Sequence, residues 1–227
     1  MAKMQSSKGR RDSNSGYVRM LGNKELGQLF SRVQATVIRM GNELEALIVA
    51  EIKKTRPQCL VNLEYILNNK NEHPANCPVL VVYNPKIPGT RADFLIVDHS
   101  RQLCKVVELK DGDTFDTKKS SGELDSLNHF AMDMGKHLGY DASYAICSFN
   151  QSSVEAILKG TKGRFRADQA LTGKQFCELI GIDYDGLVKS RQAEQQENLD
   201  YLLDQMLAIP AVRELIQAKL SNLSNQR

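Results

Sequence analysis

No stretch of eighteen consecutive apolar residues occurs in the sequence, so no segment is suited to span a membrane. An apolar signal-peptide core is missing at the N-terminus, and the five cysteines, Cys59, Cys77, Cys104, Cys147 and Cys177, are odd in number and widely spaced. Together these imply a reducing, cytoplasmic setting in which the cysteines fill the core. Neither C-x-x-C nor H-x₃-H occurs, which argues against a zinc site. Tryptophan is absent, without functional consequence. Excess charge of one sign is lacking too. Thirty basic residues against 27 acidic ones give +3, a balance compatible with nucleic acid that does not require it. What remains is the composition of an ordinary globular protein, 41% hydrophobic and 25% charged. A chain of 227 residues is long enough for one domain with a full core, or a core plus a helical appendage.

One stretch carries chemistry, from Arg91 to Lys119. Phe94 to Val97 and Leu103 to Leu109 are short, apolar and β-branched, and the polar His99, Ser100, Arg101 and Gln102 between them form a hairpin loop. If Asp98 pairs with Leu103, Leu95 lies opposite Val106 and Asp93 opposite Glu108, with Cβ atoms about 5 Å apart on one face. Lys110 shares that face, two residues beyond Glu108. Two facing carboxylates repel unless a cation lies between them. Mg²⁺ suits such a pair because it takes one or two protein carboxylates and leaves its other positions to water and phosphate. Chance alone supplies on the order of three or four acid-x-base triplets in a chain of this composition, so the weight rests on the matched register and the apolar strand running into Glu108.

Asp93 with Glu108, Leu109 and Lys110 resembles the PD-(D/E)xK motif of the restriction-endonuclease-like superfamily, with Ala92 where the family has proline. The small chain is similar to prokaryotic type II restriction endonucleases. The resemblance implies an α/β sandwich with a mixed central β-sheet flanked by helices and a helical C-terminal tail. It also implies a cytoplasmic, prokaryotic enzyme that cuts double-stranded DNA with Mg²⁺. In those terms Asp93 and Glu108 are metal ligands, Lys110 positions or activates the attacking water, and a helix before the sheet supplies a further acid. In GNELE that acid is Glu45, with Glu51 as the competitor continuing the Leu44 and Leu47 seam.

Taken in order, residues 1 to 16 read as a disordered basic arm and 17 to 227 as a single nuclease domain, with C-terminal helices over 187 to 223 broken at Pro210. Asn23 to Lys54 repeats apolar residues at spacings of three and four (Leu26, Phe30, Val33, Val37, Met40, Leu44, Leu47), which predicts a long amphipathic helix stopped by Arg56-Pro57. Val79 to Tyr83 is a buried strand. After Lys110, Asp111, Asp113 and Asp116 lack the spacing of a calcium loop, and Lys118 and Lys119 are available to phosphate. Ser120 and Glu123 form a capping box opening the next helix, which carries His129 and His137 as ordinary residues. Ala142 to Phe149 is a further strand, and a short helix starts from Ser153. The basic loop of Lys162, Arg164 and Arg166 is a candidate DNA contact. Thr172 and Gln175 cap the helix that Gly181 ends.

The sequence thus points to a Mg²⁺-dependent endodeoxyribonuclease of restriction type, acting as a homodimer because a palindromic duplex presents two equivalent half-sites. Two alternatives stand beside it: a repair or recombination nuclease of the same superfamily that cuts by structure, and a non-catalytic DNA-binding protein.

Overall fold

A computed structural model describes residues 3–10, 14–70, 72–74, 76–112 and 117–224. The chain forms two compact units, one of residues 1–43 and 188–227 and the other of residues 44–187.

The larger unit holds a mixed six-stranded sheet of order β1-β2-β5-β6-β7-β8. Its strands are β1 (Leu60–Val61), β2 (Val79–Tyr83), β5 (Phe94–Asp98), β6 (Leu103–Lys110), β7 (Asp141–Ser148) and β8 (Ala170–Thr172), while β3 (Lys86–Ile87) and β4 (Thr90–Arg91) form a separate small hairpin. β2, β5 and β6 pair antiparallel, and β6, β7 and β8 run parallel. The β5–β6 register is the one the alternation predicts: Asp98 faces Leu103, Leu95 faces Val106 and Phe94 faces Val107.

Both faces are apolar, as a sheet covered on two sides requires. Leu80, Val82, Leu95, Val97, Cys104 and Val106 pack against Leu127, Phe130, Ala131, Met134 and Leu138 of α4 (Thr117–Leu138) and Ile66 of α3 (Leu63–Asn68). On the other face Phe94 meets Phe176 of α6 (Gly173–Ile180), with ring centroids 5.3 Å apart. Helix α2 (Lys24–Thr55) ends next to α6, where an Arg56 Nη donates to the Ile180 carbonyl at 2.7 Å. After β7, α5 (Val154–Gly160) is capped by Ser153, whose hydroxyl accepts from Ala156 N–H. The Thr172/Gln175 capping box and the left-handed Gly181 C-cap of α6 are both present.

In the smaller unit α1 (Gly16–Leu21) and the first part of α2 accompany α8 (Gln195–Ala208) and α9 (Pro210–Ser224), with α7 (Tyr184–Gln192) divided between the units. Met4 is buried there and Lys3 forms an ion pair with Glu197 at 2.8 Å.

Several local expectations change. Val37 of the predicted α2 seam is exposed, and the buried large apolar positions are Leu29, Leu44, Ile48 and Ile52, because the two ends of this 32-residue helix serve different units. Helix α4 opens at Thr117, so Ser120 lies inside it and not at a cap. The tail breaks before Gln195 as well as at Pro210. Cys59 and Cys77 form a disulfide with Cα atoms 5.6 Å apart, where all five cysteines were expected to be filler. The parallel pairing of β1 with β2 brings together the chain segments that carry them. Cys104, Cys147 and Cys177 are buried free thiols. Burial pushes Cys104 up to about 11 and Cys177 up to about 12, so both stay protonated and unreactive at neutral pH. Among the described residues no helix is long and apolar enough to cross a membrane.

Candidate active site

Asp93 immediately precedes β5, and the antiparallel register, continued one position past the Phe94–Val107 pair, sets it opposite Glu108 on β6. A backbone bond fixes it: Leu109 N–H donates to Asp93 Oδ2 at 2.7 Å. On the next strand position of the same face, Lys110 Nζ lies 2.6 Å from Glu108 Oε1 in a largely buried ion pair. Asp93 and Glu108 line one recess of about 270 Å³ with Arg91, Gly122, Ser126 and Leu127. Its wall is held by Thr90 of β4, whose hydroxyl bonds Ser126 of α4. The loop leaving Lys110 is anchored too: Asn150 Nδ2 donates to the Asp111 carbonyl and carboxylate at 2.5 and 2.9 Å, and Ser148 Oγ donates to the Gly112 carbonyl.

Burial pushes the Asp93 carboxyl above the usual carboxylate range. The Leu109 N–H pulls it back, the charge of Glu45 raises it further, and Lys110 and Arg91 lower it. Glu45 accepts a 3.0 Å hydrogen bond from the Tyr83 hydroxyl on α2's side of the sheet. Burial, and then the Glu45 hydrogen bond, raise the Tyr83 pKa. Glu51, two turns further along α2, pairs with Lys54 at 3.6 Å. The fold therefore gathers Asp93 and Glu108 in one recess, with Lys110 paired to Glu108, and sets Glu45 within electrostatic reach of Asp93.

Two carboxylates lining one recess, Asp93 largely buried and Glu108 beside it, fit a small hard cation that needs one or two protein ligands. Among the described residues no group of three or more histidines, cysteines or carboxylates clusters into a denser site.

The basic loop lies elsewhere. Arg166 forms a two-point pair with the exposed Asp168 at 3.1 and 3.0 Å, and Asp168 acts on Lys105, three positions before Glu108 and on the opposite face of β6. Lys162, in left-handed backbone, and Arg164 precede that pair in the same loop. Lys118 and Lys119 fall in the first turn of α4, with side chains outside the described residues, and Asp113 and Asp116 lie outside them altogether. His129 pairs loosely with Asp133 at the surface, and His137 Nε2 approaches the Leu67 carbonyl.

Three neighbours escaped the sequence pattern. Arg91 stands two residues before Asp93, so strand alternation was the available signal; Tyr83 and Ser126 reach the area only through tertiary packing. A second recess, about 540 Å³, is lined by Gln151, Ser153, Thr172, Lys174, Gln175 and Tyr184. Because Lys110 pairs with Ser148 and Ser148 with Thr172, it opens at the same end of the sheet as the carboxylates.

No family model matches the chain. The type II restriction enzyme HhaII of Haemophilus parahaemolyticus is 41% identical to it over 229 residues, covering 96% of this chain and 99% of that one.

Proposed function

The chain belongs to the type II restriction enzymes, and from that membership we propose that it is a Mg²⁺-dependent endodeoxyribonuclease cutting double-stranded DNA at a short specific sequence through Asp93, Glu108 and Lys110. The observation that carries the assignment of residues is the shared recess: two carboxylates from adjacent strands, with a lysine 2.6 Å from one of them. Glu108 and the oxygen of Asp93 not engaged by Leu109 would hold the cation, with Glu45 supporting from the neighbouring helix. When bound, Mg²⁺ supplies a bound water of lowered pKa and offsets charge on the scissile phosphate.

The chain's own groups do the rest. Leu109 N–H holds the Asp93 carboxylate in one orientation, so no reorganisation is needed when substrate arrives. Lys110 offsets the charge of Glu108 before DNA binds, then holds the attacking water and stabilises the negative charge that grows on the phosphorus oxygens in the transition state. Arg91, on the rim of the same recess, is suited to the adjoining phosphate. Gln151, Lys174 and Gln175, at the same sheet end, offer the amide and ammonium groups that read base edges. Lys162, Arg164 and Arg166 are proposed as flanking phosphate contacts, together with Lys118 and Lys119. Residues 17–227 act as one nuclease, preceded by a basic arm, and the active species is a homodimer whose two-fold axis matches that of a palindromic site.

Purified protein incubated with a long DNA of known sequence and Mg²⁺ tests this reading. Discrete fragments whose ends share one short sequence are the expected result. Random degradation, cutting confined to branched or flapped DNA, or no cutting with any divalent ion would each overturn it.

A further inference from the structure

Nine of the twelve large apolar side chains left exposed among the described residues belong to the smaller unit, although it contains the minority of the chain. On α8 they form a stripe: Leu199, Leu203 and Leu207 recur every four residues and are 49%, 48% and 44% exposed. The inward face of α8 is a different one, with Tyr201, Leu202 and Met206 partly buried and Ile209 buried just beyond its end. On α9, Leu215 and Leu223 are each 62% exposed while Val212 and Ile216 turn inward. A solvated helix has no reason to carry a second apolar stripe, since each leucine left in water forgoes the stabilisation that burial would bring.

We propose that the leucine faces of α8 and α9 form the contact with a second copy of this chain, α8 of one copy lying against α9 of the other in both directions. The identity of the occupant follows from charge and area. Asp200 and Asp204 of α8 each follow a leucine of the stripe, and that helix carries no lysine or arginine, while Glu197 is paired with Lys3. On α9, Arg213 and Lys219 outnumber Glu214. Pairing α8 with α8 would set acid against acid, whereas α8 against α9 sets acid against base on both sides of a two-fold axis, so the contact closes. The acidic flank of α8 disfavours DNA as the occupant. The five leucines expose on the order of 500 Å² per copy, the size of a monomer's largest apolar patch, which is often functional. Two copies bring about 1,000 Å² from leucine alone, and flanking residues carry the total into the range of about 1,200–2,000 Å² that specific interfaces bury.

The apolar stripe stands on its own observation, and only the expectation of a two-fold partner rests on the restriction-enzyme reading. The test is sedimentation velocity of the full chain up to about 50 µM, a concentration at which a specific dimer is populated. Wild type should sediment as a dimer, Leu203→Glu/Leu207→Glu as a monomer with unchanged far-ultraviolet circular dichroism, and Val37→Glu/Ile38→Glu, which alters exposed apolar residues of α2, as a dimer. Should the leucine variant fail to fold, charge reversal decides: Arg213→Glu/Lys219→Glu should weaken dimerisation at least about tenfold, and adding Asp200→Lys/Asp204→Lys should restore it. A monomeric wild type, a folded leucine variant that stays dimeric, or charge reversal without effect overturns the proposal. DNA cleavage is scored separately: a dimer that cuts nothing retires the nuclease reading and keeps this surface, and a cutting monomer does the reverse.

Discussion

Replacing Asp93 by asparagine should make the metal-free protein more stable at neutral pH while removing its activity. Burial first, and then the charge of Glu45, disfavour the ionised form of Asp93, together on the order of 3 kcal/mol, which is the repulsion of like charges about 5 Å apart at an effective dielectric of about 20. The amide keeps the hydrogen bond from Leu109 N–H but loses its charge assistance, and it forgoes attraction to Lys110 and Arg91. Those losses take back about 1–2 kcal/mol. About 1 kcal/mol of net stabilisation remains, which for a chain of this size is a rise in melting temperature of roughly 2–4 °C. The pH dependence follows from the raised pKa of Asp93. A carboxyl whose folded-state pKa lies above its ordinary value stabilises the fold while protonated, and that contribution is lost as pH rises through the folded value. The advantage of Asp93→Asn should therefore be present at pH 7 and fade as pH falls toward the ordinary carboxylate range. Scanning calorimetry in chelator, with and without added Mg²⁺, measures both effects, and Mg²⁺ should raise the melting temperature of wild type more than that of the variant. A variant less stable than wild type in chelator at pH 7, or equally stabilised by Mg²⁺, would refute the reasoning.

Phe94→Ala, which empties a fully buried position against Phe176, should cost about 3–5 kcal/mol in denaturant unfolding. Lys162→Ala should lower the slope of log affinity against log salt by about one and leave the single-turnover cleavage rate unchanged at saturating enzyme, as read by gel shift and quench-flow. Ca²⁺, larger and tolerant of irregular coordination, should support DNA binding with little cutting in the same two assays.

The hairpin was legible because a strand buried on both faces and bounded by a polar tetrapeptide leaves one register, and that register alone aligns Asp93 with Glu108. The sheet class and the α6 caps were legible for similarly local reasons: strand runs, and a Thr-x-x-Gln box closed by glycine. What the sequence hid depends on long-range packing. Val37 continues the apolar spacing of α2 yet is exposed, because its half of the helix belongs to a different unit from Leu44, Ile48 and Ile52. Cys59 and Cys77 meet through β1, a two-residue strand too short to show any pattern. Composition marks the basic loop as a DNA contact but not its place: the parallel return to β8 carries Arg166 and Asp168 toward Lys105, on the opposite face of β6 from Glu108. Conversely the recess of Gln151 and Lys174 carries no charge run to announce it, and only the parallel order of β6, β7 and β8 brings it to the end of the sheet that holds Glu108 and Lys110.

The central claim is that Glu108 and Lys110 act on the reaction and not on the fold. Single-turnover cleavage of a duplex carrying the cut site, with Mg²⁺ and enzyme in excess, measures this directly for wild type, Glu108→Gln and Lys110→Ala, each confirmed folded by circular dichroism and DNA-binding by gel shift. The account predicts a fall of at least about 10²–10³-fold in the chemical step for each variant, with DNA affinity within about tenfold of wild type. A folded Glu108→Gln or Lys110→Ala protein that cuts at the wild-type rate would contradict it.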